Sequence, residues 1–391
     1  MKIIAMFIPG FHSCPYNDKW WGKDFTEWQN VRSAKPLFDG HLQPKIPFDG
    51  FYHLDNLDVI RDQAKIACSH GIHGFSIYHY WYEGKKPLSR PIDLILENKD
   101  MDIKFCLCWA NHSWTRSWKN RYGALDVLIE QTYENDDAGR KEHYEYLCHA
   151  FLDKRYIRVE GRPIFQIYVP EHIPDLDGYL QGLRRYALES AGIEIHLSAM
   201  VTAWREEWGF LKNFDSVTLF QPALALYGPE RIFGKVLGGK ASRPSFGARL
   251  RASPRLIRRV LYIILDMMPK IPTFFNYDKT WVNLYNQYKN AVKDVAPLHV
   301  YPMAFVDFDN TPRYRKRAKL FKGFTPSGFG KYLNMLYSEA KSISPDNMVF
   351  VNAWNEWGEG MYLQADTTDG DARLRAVRAA LSTPAPQKSR N

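Results

Sequence analysis

Eight short β-rich apolar runs, most of them separated by helical patterns, constrain this chain more than any other feature. They fall at 2–8, 72–78, 103–110, 163–169, 194–201, 216–220, 299–306 and 348–354. Helical periodicity, with Ser or Asp starts or recurring apolar positions, occupies 55–70, 136–152, 176–191, 279–294 and 327–343. Strands joined through helices pair in parallel, because only a long crossover returns the chain in the same direction. Eight such units close on themselves. The sequence therefore predicts an α/β fold, a (β/α) TIM-type barrel of eight parallel strands with loop insertions. A doubly wound open sheet is the competing architecture, but it calls for a glycine-rich phosphate loop after the first strand, and Phe7-Ile8-Pro9 is not followed by one. A length of 391 residues suits one barrel domain. The reading is a single barrel over 1–381, with an insertion at about 222–278 and a tail over 382–391 where Pro, Ser, Gln and Lys replace the apolar pattern.

Barrels of this kind place chemistry on the loops that follow the C-terminal strand ends, and this chain loads those loops with rings and hydrogen-bonding side chains. Trp20, Trp21, Glu27 and Trp28 follow the first run. Tyr78, His79, Tyr80 and Trp81 end the second; Trp109, Asn111, His112 and Trp114 follow the third; Tyr168 ends the fourth. Asp309, Asn310 and Arg313 follow the seventh. After the eighth comes Trp354-Asn355-Glu356-Trp357-Gly358-Glu359-Gly360. Two glutamates three residues apart diverge on a strand but converge in a turn, and Gly358 and Gly360 favour the turn. Glycosidic bond cleavage uses such a pair, one carboxylic acid to protonate the leaving oxygen and one carboxylate on the other side of the ring. Tryptophan offers a flat apolar face to the C–H side of a sugar, and aromatic residues make up 15% of the chain. Glu356 and Glu359 are the candidate catalytic residues, and the other side chains named here are candidates for substrate binding. A carboxyl that must hold its proton near neutrality needs a raised pKa, which a partner carboxylate and apolar rings supply, and Glu359 has both nearby.

The net charge of +9 is largely local. Arg243, Arg249, Arg251, Arg255, Arg258 and Arg259 form one cluster, and Arg313, Arg315, Lys316, Arg317 and Lys319 another. Such clusters meet anionic membranes or acidic glycans, or are simply solvated. The reading includes no nucleic-acid partner. Val260 to Met268 after the first cluster reads either as an amphipathic helix on a membrane surface, peripheral contact being made through Arg249, Arg251, Arg255, Arg258 and Arg259, or as a helix packed on the core. Five cysteines in mostly apolar elements read as reduced. The apolar N-terminal run is short for a signal peptide, which gives a cytoplasmic expectation, with the inner membrane as a peripheral contact. His79, His112, Asp307 and Asp309 carry metal-ligating atoms, but the reading assigns them hydrogen bonds and requires no metal and no cofactor. Arg116 and Arg313 read as binding an acidic group on a glycan or as orienting the site carboxylates.

The same segments carry a family resemblance. Trp20-Trp21-Gly22-Lys23-Asp24-Phe25-Thr26-Glu27-Trp28, Gly40-His41-Leu42-Gln43-Pro44, Tyr78-His79-Tyr80-Trp81-Tyr82, Trp109-Ala110-Asn111-His112, Phe308-Asp309-Asn310-Thr311-Pro312-Arg313 and the glutamate motif resemble the WbsX-like, glycoside hydrolase family 99-like group of bacterial surface-polysaccharide gene clusters. That resemblance implies a (β/α) barrel and retaining attack on α-mannoside-type bonds through a 1,2-anhydro-sugar. It casts Glu356 as the base that deprotonates the sugar 2-hydroxyl, and Glu359 as the acid that protonates the leaving oxygen and then activates water. A 2-deoxy or 2-acetamido sugar at the cleaved position is excluded by that route. The substrate expectation is an oligosaccharide or polysaccharide. The group is often described as glycosyltransferases from its genomic setting, so a transferase of O-antigen, capsule or exopolysaccharide biosynthesis is the alternative. A non-catalytic glycan-binding protein is the third reading.

Overall fold

A computed structural model of the chain describes residues 2–116, 126–133, 137–205, 208–230, 232–233, 260, 271–343 and 347–382. The expected runs form the barrel wall: β1 Lys2–Phe7, β2 Ile72–His79, β3 Lys104–Trp109, β4 Arg162–Ile167, β5 His196–Val201, β6 Ser216–Leu219, β7 and β8 Met348–Asn352. β7 comes in two pieces, His299–Tyr301 and Met303–Phe305. The ladder runs β1 to β6 in order, continues through the first piece of β7, and returns from its second piece through β8 to β1, every pairing on this path being parallel. Nine parallel stretches thus occupy eight positions in a nearly closed barrel. The break falls at Pro302, which has no N–H to donate. Its carbonyl still accepts from Phe350 N at 3.0 Å.

Burial on both faces explains why the strands read as continuous apolar runs rather than alternating ones. Ile3 to Phe7 and Met348 to Val351 are fully buried. Polar side chains inside the barrel satisfy one another: Ser76 Oγ donates to Gln166 Oε1 at 2.7 Å, Gln166 Nε2 donates to Thr218 Oγ1 at 3.0 Å, and His196 Nε2 lies 2.9 Å from Ser216 Oγ. The five expected helices are present at Leu57–Ser69, Asp137–Phe151, Leu176–Ala191, Tyr277–Asp294 and Pro326–Ile343. Asn56, Asp175 and Asn276 cap three of them by accepting backbone N–H bonds. Among the described residues, two further helices of eight residues or more, Arg90–Glu97 and Ala372–Ser382, stand beside the expected five.

All five cysteines are free, four of them buried. No helix among the described residues is long and apolar enough to cross a membrane. Arg243, Arg249, Arg251, Arg255, Arg258 and Arg259 lie outside the described residues, as does the chain beyond Ser382.

Candidate active site

The end of β8 delivers the glutamates. Asn355 anchors this corner to β1, its Oδ1 accepting from Ile8 N at 2.8 Å and its Nδ2 donating to the Ile8 carbonyl at 3.0 Å. Asn355–Glu356 and Met361–Tyr362 then pair antiparallel around a single 3-10 turn, Trp357–Glu359. The turn brings Glu356 and Glu359 to one side, as their spacing predicts. Both glycines are required there. A Cβ on Gly358 would lie 2.5 Å from Glu27 Oε1, and Gly360 has φ +67° with its Cβ position 2.9 Å from the Asp309 backbone.

Arg313, in the short helix Thr311–Tyr314, is the centre of the site. Its Nε donates to Glu27 Oε1 at 2.9 Å, its Nη1 to Glu359 Oε1 at 2.9 Å and its Nη2 to Glu356 Oε1 at 3.0 Å. Side-chain exposure is 18% for Arg313, 9% for Glu27, 13% for Glu356 and 28% for Glu359, so Glu359 is the carboxylate most open to a ligand. Fully ionised, three carboxylates would face one cation. Burial pushes Glu356 up to about 8 against the pull of Arg313, and the charges of Glu359 and Glu27 add to the rise. Burial also raises Glu27 in spite of Arg313. Burial works against the Arg313 charge, but its three carboxylate partners outweigh that and hold its pKa well above the ordinary value. Glu356, the more deeply buried glutamate of the motif, has the raised pKa that an acid holding its proton near neutrality needs.

This arrangement makes a pH prediction. A carboxyl whose pKa rises from 4.5 to about 8 on folding binds more protons in the folded state, so stability falls as pH climbs through that window and stays reduced above it. Glu356→Gln keeps an oxygen for Arg313 and cannot ionise. Its melting temperature is expected to gain on wild type between pH 5 and pH 9 in calorimetric scans, and parallel curves would refute the shift.

Asp309 braces the site from below. It accepts from His41 Nε2 at 2.8 Å, Gln43 Nε2 at 2.6 Å and Thr311 N at 3.1 Å, and its own N donates to the Glu359 carbonyl at 2.7 Å. His41 Nδ1 accepts from Leu37 N at 3.1 Å, which leaves the proton on Nε2 to face Asp309. Although burial opposes it, these bonds hold the Asp309 pKa below its ordinary value. Asn310 similarly accepts from Lys319 N at 2.7 Å.

Partly exposed rings face the carboxylates. Tyr78 and Tyr168 lie 5.9 Å apart, Tyr168 is 5.6 Å from His112 and 5.3 Å from Phe220, and Tyr80 is 5.3 Å from Trp114. Burial raises the Tyr78, Tyr80 and Tyr168 phenols, and the Glu356 charge adds to each, so they remain protonated donors. Trp20 and Trp21 are half-buried on the first loop, with the Arg116 guanidinium 5.5 and 5.7 Å from their rings.

Other candidates are placed in the core, and a ring with no exposed face cannot stack on a sugar. Trp28 packs on Phe11 and Trp357, Trp354 on Phe75, and Trp357 lies 3.7 Å from the Tyr362 ring. Their indole N–H groups are taken up by the Tyr52 carbonyl, Gln63 and Gln364 respectively. Asn355 and Asn111 are buried as well, and Asn111 joins the ends of β3 and β4 through Val169 at 2.8 and 2.9 Å. His79 is 3.0 Å from His143, which stacks on Trp81; Trp109 also packs on His143. Burial drives His79 down to about 3 and His143 well below its usual value, so both imidazoles are neutral. Trp28, His79, Trp81, Trp109, Asn111, Trp354, Asn355 and Trp357 therefore support the wall of the site. His79 and Asp309 belong to separate networks, and no group of three or more His, Cys, Asp or Glu among the described residues could hold a metal.

Beside Glu359 opens a cavity of about 270 Å³ lined by Phe220, Pro222, Ala223, Leu226, Tyr227, Phe308, Asn310, Tyr314, Arg317, Lys319 and Met361. Sequence reasoning passed over the end of β6, although Phe220 carries the same strand-end signal that marked the other loops. Tyr227 and Met361 gave no such signal.

A profile of the family described as "Glycosyltransferase WbsX" matches residues 3–377. "Uncharacterized protein WxcX" from two strains of Xanthomonas campestris pv. campestris is 32% identical over 383 residues, covering 97% of this chain and 49% of the relative. The chain thus spans about half the length of the curated relatives it matches. Among solved structures, a "Glycoside hydrolase-like protein" superposes with a TM-score of 0.58 at 12% identity over 98% of this chain and 94% of the other. The GH99 endo-alpha-mannosidase from Bacteroides thetaiotaomicron superposes with a TM-score of 0.50 at 12% identity over 97% and 95%. These two likenesses establish a common fold.

Proposed function

The chain belongs to the WbsX family, and from that premise we propose that it is a retaining glycosidase-type enzyme, similar to endo-α-mannosidases, that cleaves an α-glycosidic bond in a bacterial surface polysaccharide or its lipid-linked precursor. One observation carries the reading: Glu356 and Glu359 share Arg313 at the C-terminal mouth of the barrel, with Glu359 opening on a cavity. In the proposed reaction Glu356 takes the proton of the sugar 2-hydroxyl and O2 attacks the anomeric carbon. The glycosidic bond breaks as Glu359 gives its proton to the leaving oxygen. Water, deprotonated by Glu359, then opens the 1,2-anhydro ring at the anomeric carbon, and Glu356 returns its proton to O2. Two displacements at one carbon retain configuration. Arg313 holds both carboxylates in place, and the Tyr78, Tyr80 and Tyr168 hydroxyls supply donors for sugar oxygens.

The test is to incubate the protein with surface polysaccharide or lipid-linked glycan, with and without nucleotide sugars, and weigh the products by mass spectrometry. Shortened chains with new reducing ends, absent in Glu359→Gln, are expected. Chains lengthened only with a nucleotide sugar would make the protein a transferase. A second outcome concerns pH. Since Glu356 must ionise to act as base, kcat/KM is expected to rise with pH along a limb near 8, an apparent value that belongs to the coupled carboxylates together. A limb that falls there would reverse the roles of the two glutamates.

We place the protein in the cytoplasm, with the basic segment containing Arg249, Arg251, Arg255, Arg258 and Arg259 on the anionic face of the inner membrane. Sedimentation with phosphatidylglycerol vesicles is expected at low salt and not at high salt. Failure to sediment at any ionic strength would remove the assignment.

A further inference from the structure

Resting on the glycosidase reading, we propose that the cavity beside Glu359 is a subsite for a sugar bearing an anionic group, carboxylate or phosphate, which Arg317 and Lys319 recognise. Three observations carry this. The first is the cavity's charge. Of the side chains lining it, Glu359 is the single acid and is already bonded to Arg313, while Arg317 and Lys319 are cations. The second is rigidity. Lys319 N donates to Asn310 Oδ1 at 2.7 Å, Asn310 N donates to the Lys319 carbonyl at 3.2 Å, and the adjacent Asp309 N donates to the Glu359 carbonyl at 2.7 Å. The cationic segment and the acid are therefore fixed to each other through two consecutive residues. The third is the placement of the lysine head. Lys319 Nζ donates to the Tyr227 hydroxyl at 2.8 Å and lies 4.8 Å from the ring centroid, so its described hydrogen bond is to a hydroxyl and not to a carboxylate.

The chemistry explains why such cations are needed. Arg313 is already bonded to three carboxyl groups, so its charge is taken up within the site and a further anionic ligand needs cations of its own. A neutral glycan would bind without compensation, whereas an acidic one requires counter-charge at the subsite. Arg and Lys supply charge-assisted hydrogen bonds to either anion. The apolar faces of Phe220, Phe308 and Tyr314 suit a sugar ring, and 270 Å³ lies just below the lower bound of ordinary small-ligand sites, about 300 Å³. The cavity therefore suits a single sugar unit rather than a longer stretch of glycan.

Binding is measured by calorimetry on the full chain with a methyl hexoside, the matching methyl hexuronide, a hexose 1-phosphate and inorganic phosphate. One acidic sugar is expected to bind roughly 10-fold or more tighter than the neutral hexoside, the scale of one added charge-assisted hydrogen bond. The gap should narrow in both Arg317→Gln and Lys319→Met, with Arg317→Lys retaining part of it. Preference for the hexuronide assigns the charge to a sugar acid, and preference for the phosphate assigns it to a phosphorylated sugar or linker. Equal affinity for neutral and acidic sugars, tight binding of inorganic phosphate with no sugar preference, or a gap that survives both substitutions would overturn the subsite. The glycosidase reading fails separately: an acidic preference without any chain cleavage leaves the subsite standing, and cleavage without the preference leaves the enzyme standing.

Discussion

Glu359→Gln is expected to reduce glycan cleavage by about 10³-fold or more in kcat, with substrate binding and melting temperature close to wild type. The magnitude follows from general acid–base catalysis, in which one positioned group contributes about 10² to 10⁴, and here the same group serves as acid and then as base. Glutamine matches glutamate in size and keeps its carbonyl oxygen for Arg313 Nη1, so the Asp309 bond to the Glu359 backbone and the turn around Gly360 have no reason to move. Glu359 is also the most exposed of the three carboxylates, and replacing it leaves no buried group without a partner. A substrate with a good leaving group separates its roles. Departure then needs no proton, so the first step should recover in Glu359→Gln while hydrolysis of the anhydro-sugar stays slow, giving a burst of released aglycone. Wild-type kcat in the variant would remove Glu359 from the mechanism.

The barrel was legible because each strand is buried on both faces, which leaves a continuous apolar run, and each helix on one, which leaves a helical period in the order of residues. The position of Pro302 within the seventh run shows the limit of that legibility: the run marks a strand, while the break in its ladder depends on which neighbours need a donor there. The glutamate pair was legible because spacing and glycines together specify a turn. Glu27 and Arg313 were legible as polar residues on productive loops, but their meeting 286 positions apart was not. The indoles misled for a physical reason. Strand-end tryptophans supply apolar area equally well to a ligand or to the layer beneath it, and sequence order does not record which. Trp28, Trp354 and Trp357 went into that layer, with N–H groups satisfied by Tyr52, Gln63 and Gln364, while half-buried Tyr78, Tyr80 and Tyr168 form the exposed wall.

Arg313→Met is expected to destabilise the protein by about 3 kcal/mol near neutral pH, within the range found when one partner of a buried ion pair is removed, and to abolish cleavage. Methionine fills much of the volume but donates nothing, and Glu27, Glu356 and Glu359 lose the guanidinium that joins three separate loops. The loss should depend on pH in a way that a packing defect would not. Arg313 pulls the pKa of both Glu27 and Glu356 down, so its removal raises them further. A raised folded-state pKa leaves stability intact below the unfolded value and removes it as pH climbs towards the folded one. The gap between variant and wild type should therefore be small below pH 4.5, the ordinary glutamate value, and widen steadily above it. Adding Glu27→Gln to Arg313→Met removes one of the stranded carboxyls and should recover part of the stability at pH 8 but little at pH 4. Arg313→Lys should recover less than the charge alone suggests, because an ammonium cannot reproduce the planar guanidinium that reaches three carboxylates from three nitrogens. Denaturation curves of the single and double variants at pH 4 and pH 8 decide the matter, and a pH-independent loss would mean that Arg313 acts by packing rather than by holding the carboxylates together.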